Sequence, residues 1–256
     1  MNKCFLLLCF LLNSGFVFGE ENQAHSEHNH GSSSIALSKI KTPNNIRYFL
    51  PDLSFQQLET TQQPKVGLEG YYALLVEHQQ DNLVESELQY VYKNGRPFSS
   101  VPSALFSLEK TALEIEPIPH PAEHNVYNSG KTWKFKARFN GQALVNTLIE
   151  LETENNTKSQ FTSDENGLIS VTFPDDFSDI KPGLRANQPA AYRLTVSKEL
   201  DGKRYVSSFL SQYHVSASHW QTVEGGIWVL IFGALFGILV SFKLSSKPLK
   251  QKKYQG

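Results

Sequence analysis

The sequence predicts a mainly β protein: a β-sandwich ectodomain followed by one C-terminal transmembrane helix. Three observations lead there. Residues 113–215 alternate apolar and polar side chains in short runs separated by Asn, Asp and Gly, the pattern of half-buried strands joined by tight turns. Residues 225–242, GGIWVLIFGALFGILVSF, carry no charge and would span about 27 Å as a helix, close to the hydrocarbon thickness of a bilayer. Five lysines (Lys243, Lys247, Lys250, Lys252, Lys253) then follow with no acid among them.

From the N-terminus, MNKCFLLLCFLLNSGFVFG has one positive charge, Lys3, then an apolar run from Cys4 to Leu12. Small residues at Val17 and Gly19 precede Glu20. The run is too short to cross a bilayer, so residues 1–19 read as a secretory signal peptide. Both cysteines, Cys4 and Cys9, fall inside it. A mature chain without thiols has no disulfides, no thiolate metal ligands and no cysteine nucleophile.

Residues 20–45 are polar and contain a Gly31-Ser32-Ser33-Ser34 run, the composition of a disordered His/Ser-rich leader. Residues 46–112 read as an N-terminal β-rich subdomain. It holds strand candidates over GYYALLVEH (Gly70 to His78) and ELQYVYKNG (Glu87 to Gly95). In the second, Leu88, Tyr90 and Tyr92 alternate with Gln89, Val91 and Lys93, and Asn94-Gly95 is a turn signal.

Residues 113–215 form the clearest domain. Trp133, Phe135, Ala137 and Phe139 share one face, opposite Lys134, Lys136 and Arg138; Asn140-Gly141 then turns the chain. SDENG (Ser163 to Gly167) is a second turn, leading to Ile169, Val171 and Phe173 on one face. A hairpin around Asp201-Gly202 points Tyr192, Leu194 and Val196 inward.

A linker, 216–224, precedes the transmembrane helix at 225–242 and the basic tail at 243–256. The positive-inside rule makes the topology single-pass, N-out and C-in, with the tail cytoplasmic. Gly233 and Gly237 form a GxxxG within the span, the spacing that lets two such helices approach closely as a homodimer; glycine is also simply common in such helices. The chain has 24 basic and 25 acidic residues. Setting aside Lys3 and the five tail lysines leaves the outer part at about −7, which argues against a nucleic-acid partner.

LEIEPIPHPAEHNVYNSGKTWKFKARFNGQALVNTLIELE, followed by TSDENGLISVTF, resembles the C-terminal, Ig-like half of a bacterial periplasmic family associated with cobalt and nickel uptake. The resemblance rests on Leu113-Glu114-Ile115-Glu116-Pro117, Gly130, Phe139-Asn140-Gly141 and the turn from Thr162 to Gly167. GYYALLV is similar to the strand ending that family's N-terminal half. It implies an Ig-like β-sandwich ectodomain held at a bacterial inner membrane with the bulk of the chain periplasmic. It also implies a part in divalent-metal transport.

Two histidine clusters could carry chemistry. HSEHNH places His25, His28 and His30 within six residues, beside Glu21 and Glu27. Imidazole suits nickel, cobalt, copper and zinc, and each ring must be neutral to bind. The alternative is a polar leader without metal. HPAEH, His120 to His124, matches the H-x-x-E-H zinc-protease spelling, but Pro119 and Pro121 forbid the helix that chemistry needs. What remains is a loop that binds metal through His120, Glu123 and His124 without catalysis, or a plain exposed loop. No G-x-S-x-G elbow or P-loop is present, so the chain reads as a non-enzyme.

The expectation is a membrane-anchored, metal-binding or accessory component of nickel/cobalt uptake, partnered by a metal permease or another envelope protein. The alternative is a metal-independent Ig-like envelope interaction or structural protein.

Overall fold

The computed structural model describes residues 38–62, 67–96, 102–118, 126–221 and 223–245. In chain order the strands are β1 (Asn45–Phe49), β2 (Phe55–Gln57), β3 (Gly70–Gln80) and β4 (Leu83–Lys93), followed by a short helix α1 (Pro102–Ser107). Then come β5 (Leu113–Ile118), β6 (Tyr127–Asn128), β7 (Thr132–Phe139), β8 (Gln142–Ala143) and β9 (Leu148–Thr153). The last are β10 (Lys158–Thr162), β11 (Leu168–Thr172), β12 (Ala190–Leu200), β13 (Lys203–His214) and the helix α2 (Val223–Ser245). The protein is mainly β.

The turns follow from residues that tolerate a left-handed backbone. Asp201 and Gly202, at φ 52° and 71°, close the long β12–β13 hairpin as a two-residue turn whose twist matches the strands. Asn140 and Gly141, at φ 48° and 75°, do the same between β7 and β8. Asp164 Oδ1 accepts from the backbone N–H of Asn166 and of Leu168, both at 2.8 Å, and so shapes the turn into β11.

Two sheets result. The broad one runs β10-β9-β12-β13-β4-β3-β1-β2, and the smaller one β11-β7-β5, with β8 hydrogen-bonded to β7. The named strands pair antiparallel except on the edge of β13 away from β12. There β4 runs parallel from Arg204 to Leu210, and β6 takes over at Tyr213 and His214. Two strands from different stretches of chain therefore share one edge of β13, and the segments 46–112 and 113–215 share one sheet.

The main core lies between the sheets. It joins Leu113, Ile115, Phe135, Ala137, Ile169 and Val171 from the smaller sheet to Ile149, Leu151, Tyr192, Leu194, Val196 and Phe209 from the broad one. Rings fill its centre: Phe173 and Tyr192 meet edge-on at 4.6 Å, and Tyr127 stacks on Phe135 at 5.8 Å. Such pairs contribute about 0.5–1.5 kcal/mol each beyond area burial. A neighbouring cluster on β1, β3 and β4 (Phe49, Ala73, Leu75, Leu88) is covered by Leu105 of α1. On the other face, Ile46, Tyr48, Tyr72, Leu74 and Val76 pack under Ile40, Leu50 and Leu58. The central part of β3 is thus buried on both faces, which is why Tyr71 to Val76 reads as a continuous apolar run rather than an alternation.

α2 covers the residues assigned from sequence to a membrane span. Its described side chains, 227–242, include exposed Trp228, Leu230, Phe232, Phe236, Leu239 and Phe242. Among the described residues no helix is long and apolar enough to cross a membrane.

Candidate functional site

His25, His28 and His30 precede residue 38, and His120, Glu123 and His124 fall in 119–125 between β5 and β6; both clusters lie outside the described residues. Gly233 and Gly237 sit on α2, where a Cβ added at either meets no heavy atom within 4 Å. The helix surface is therefore open at both. His78 Nδ1 lies 2.7 Å from the carbonyl of Thr42, and His219 Nε2 lies 2.9 Å from Asp175 Oδ1. Among the described residues no group of three or more His, Cys, Asp or Glu could hold a metal ion.

A group of polar side chains shares the outer face of the broad sheet. Register builds the site: Gln160 stands opposite Glu150, Glu150 opposite Thr195, Thr195 opposite Ser208, and Ser208 opposite Glu87. One row of side chains thus crosses β10, β9, β12, β13 and β4. The next row carries Lys158, Glu152 and Arg193. Because strand side chains alternate, these residues share the face opposite the apolar core. Together they floor an open hollow of about 730 Å³.

The segment entering β1 crosses this face as a strap. Ser38 Oγ donates to Glu87 Oε2, and the backbone N–H of Lys39 donates to Glu87 Oε1 at 2.8 Å. Arg193 Nη2 donates to that same Oε1 at 2.6 Å. Lys39 Nζ reaches Glu152 at 2.7 Å, and Lys158 reaches its other oxygen at 3.3 Å. The Lys39 hydrogen bond, against the opposing effect of burial and helped by Lys158, holds the Glu152 carboxyl below its ordinary value. Glu150 receives Gln160 Nε2 at 3.4 Å but no ion pair among the described residues. Carboxylates, hydroxyls and one guanidinium at these positions suit the holding of cationic or hydrogen-bonding groups.

Two further polar clusters fasten the fold. Lys110, Glu114, Arg138 and Glu116 form a buried chain of ion pairs, with Lys110 Nζ 3.1 Å from Glu114 and Arg138 3.1 Å from its other oxygen. Burial lowers Lys110, and Glu114 opposes that shift. Near the end of β13, Asp176 accepts hydrogen bonds from Tyr213, Asn155 and Thr153. Burial alone would raise Asp176, but these donors together hold it below the ordinary carboxylate range.

Sequence reasoning missed Glu87 and Arg193. Each sits in a strand as an ordinary outward polar residue; their burial comes from the strap and from β4 joining β13. No local pattern signals either. No family model matches the chain, and no curated protein matches it.

Proposed function

We propose that the chain is a membrane-anchored, non-catalytic metal-binding or accessory component of divalent transition-metal uptake, nickel or cobalt first. In this reading residues 113–215 are an Ig-like β-sandwich, supported by a core drawn from both sheets. α2 is the single membrane span of an inner-membrane protein, N-out and C-in, with Gly233 and Gly237 free to meet a second copy. The length of its backbone supports this reading: 23 residues measure about 35 Å at 1.5 Å per residue.

The observation that carries the reading is the strap. Ser38 and Lys39 are fixed to Glu87 and Glu152 on the hollow's floor. The span from His30 to Ser38 is bounded by roughly 27 Å of extended chain. An ion caught by the imidazoles of His25, His28 and His30 would be carried by the segment that leads into this strap, for transfer to a metal permease or another envelope protein.

Calorimetric titration of the full chain in detergent with nickel, cobalt, copper and zinc tests this. Sub-micromolar binding, lost on deleting residues 20–34, is the expected result. Binding that survives the deletion moves the site to His120, Glu123 and His124. No binding to any of the four metals overturns the reading in favour of a metal-independent Ig-like envelope interaction protein. One observation favours that second reading: among the described residues the broad sheet ends in an open strand.

A further inference from the structure

The open strand is β10. Among the described residues it pairs only with β9, at the end of the broad sheet, and side chains at Lys158, Gln160 and Thr162 are exposed. Which backbone groups are open follows from the ladder. Thr153 N–H donates to Thr157, and Ser163 N–H donates to Thr147. In an antiparallel pair the residues facing the partner alternate, so 157, 159, 161 and 163 point toward β9. Lys158, Gln160 and Thr162 therefore aim their N–H and C=O groups away from the sheet. Three consecutive outward residues with no proline form a template for another strand.

The surroundings set which strand fits. Gln160 stands beside Glu150, which is exposed and has no ion pair among the described residues. Thr162 stands beside Leu148, which is 49 % exposed, and Val145 nearby is 47 % exposed. Lys158 is itself cationic and exposed. An added strand thus meets three positions in succession: a cation, a path to an unpaired carboxylate, and an apolar patch.

We infer that the outward edge of β10 docks an extended segment of a partner protein whose alternate side chains are acidic, basic and apolar. The acid lies opposite Lys158. The basic side chain lies opposite Gln160 and reaches Glu150. The apolar side chain lies opposite Thr162 and covers Leu148. Main-chain hydrogen bonds to Lys158, Gln160 and Thr162 supply affinity, and the three side chains supply register. A second copy fits poorly. Antiparallel self-pairing about Gln160 sets Lys158 opposite Thr162 and leaves Glu150 uncompensated on both copies. The inference deepens the interaction reading and does not require metal capture.

The test uses the full chain in detergent and a labelled peptide, Ser-Glu-Thr-Arg-Thr-Leu-Ser, read by fluorescence anisotropy. Gln160→Pro removes an outward N–H without taking a bond from the β9 ladder, and should weaken binding by about tenfold or more while leaving the melting temperature in place. Glu150→Lys should lose this peptide and gain the version with Arg replaced by Glu, whereas wild type should prefer the Glu-then-Arg order to its reverse. Peptides N-methylated at alternate amides provide a second route that needs no variant: methylation of the edge-facing set should abolish binding, and methylation of the other set should not. Equal binding to wild type and Gln160→Pro, or no preference between the two charge orders, overturns the proposal. Self-association of the full chain that Gln160→Pro abolishes overturns it in favour of a second copy. Peptide binding by the chain lacking residues 20–34, the deletion that reads the metal site, should match wild type, so a failed edge and a failed metal site remain distinguishable.

Discussion

Arg193 and Glu87 meet at 2.6 Å with both side chains only 4 % exposed, joining β12 to β4 across the intervening β13. The pair ties chain segments 106 residues apart. Removing one partner leaves a buried charge without its counterion, which costs about 3–5 kcal/mol. Arg193→Leu should therefore lower the unfolding free energy by that amount in denaturant titration. The double variant with Glu87→Leu should recover part of the loss, because no unpaired charge then remains. Recovery stays partial because Glu87 also holds Ser38 and Lys39.

Asp176 and Tyr213 give stability two pH limits. The Asp176 carboxyl is held low in the folded protein, so its contribution is complete above the ordinary carboxylate range and is lost as pH falls through the folded value. Burial, then the hydrogen bond to Asp176, pushes the Tyr213 phenol well up. Its contribution is therefore present below the ordinary tyrosine range and is lost as pH rises through the folded value. Asp176→Asn should flatten the acid limb of a stability–pH profile; Tyr213→Phe should flatten the alkaline limb. A variant profile with an unchanged acid limb would assign acid unfolding to other carboxylates.

Much of the strand pattern is legible in the sequence. Phe135, Ala137 and Phe139 are buried as their alternation requires, and so are Tyr192, Leu194 and Val196. The Asp201-Gly202 hairpin is legible because a two-residue left-handed turn leaves a residue signature. Parallel pairing of β4 with β13 is not, because nothing local to either strand encodes a partner so far along the chain. Asn94-Gly95 illustrates the difference. A Cβ on Gly95 would stand 2.8 Å from the Leu68 carbonyl carbon, and Leu68 bridges Arg96 in parallel. That glycine permits a close crossing of two segments rather than a hairpin. α1 has six residues, too few for a helical period to register. The outer-face site was illegible for the same reason as the pairing: the strap and β4 make it.

Glu114 matters more than Lys110 to the buried ion chain. Lys110 Nζ also donates to the carbonyl of Leu108 at 2.7 Å and lies 5.2 Å over the Tyr90 ring. Lys110→Met leaves Glu114 still bound by Arg138, and should cost about 1–3 kcal/mol. Glu114→Leu leaves the buried Lys110 without a counterion, while Arg138 keeps Glu116 at 3.3 Å, and should cost about 3–5 kcal/mol. Equal losses in denaturant titration would mean that Arg138 does not hold Glu114 unaided.

Gly167 and Gly202 separate backbone strain from crowding. Both have left-handed backbones, at φ 74° and 71°. At Gly202 an added Cβ meets nothing within 4 Å, whereas at Gly167 it would stand 2.7 Å from the Ala137 carbonyl oxygen. Gly202→Ala should cost about 1 kcal/mol from conformation alone. Gly167→Ala should cost more, because the Ala137 carbonyl accepts from Leu144 and anchors the chain after β8. Melting temperatures of the two variants compare the effects directly.

α2 supplies the final prediction. Its exposed Trp228, Leu230, Phe232, Phe236, Leu239 and Phe242 would each face water if the helix stood free. Apolar surface at about 25 cal/mol per Å² makes that arrangement strongly unfavourable, and a bilayer relieves it. The full chain should therefore float with phospholipid vesicles and resist carbonate extraction. A chain ending before Val223 should stay in the aqueous fraction while keeping the same melting temperature, since the core residues all precede it. Vesicle binding by the truncated chain would place the membrane contact on the β domain, and loss of its melting transition would mean that α2 packs on the sheets.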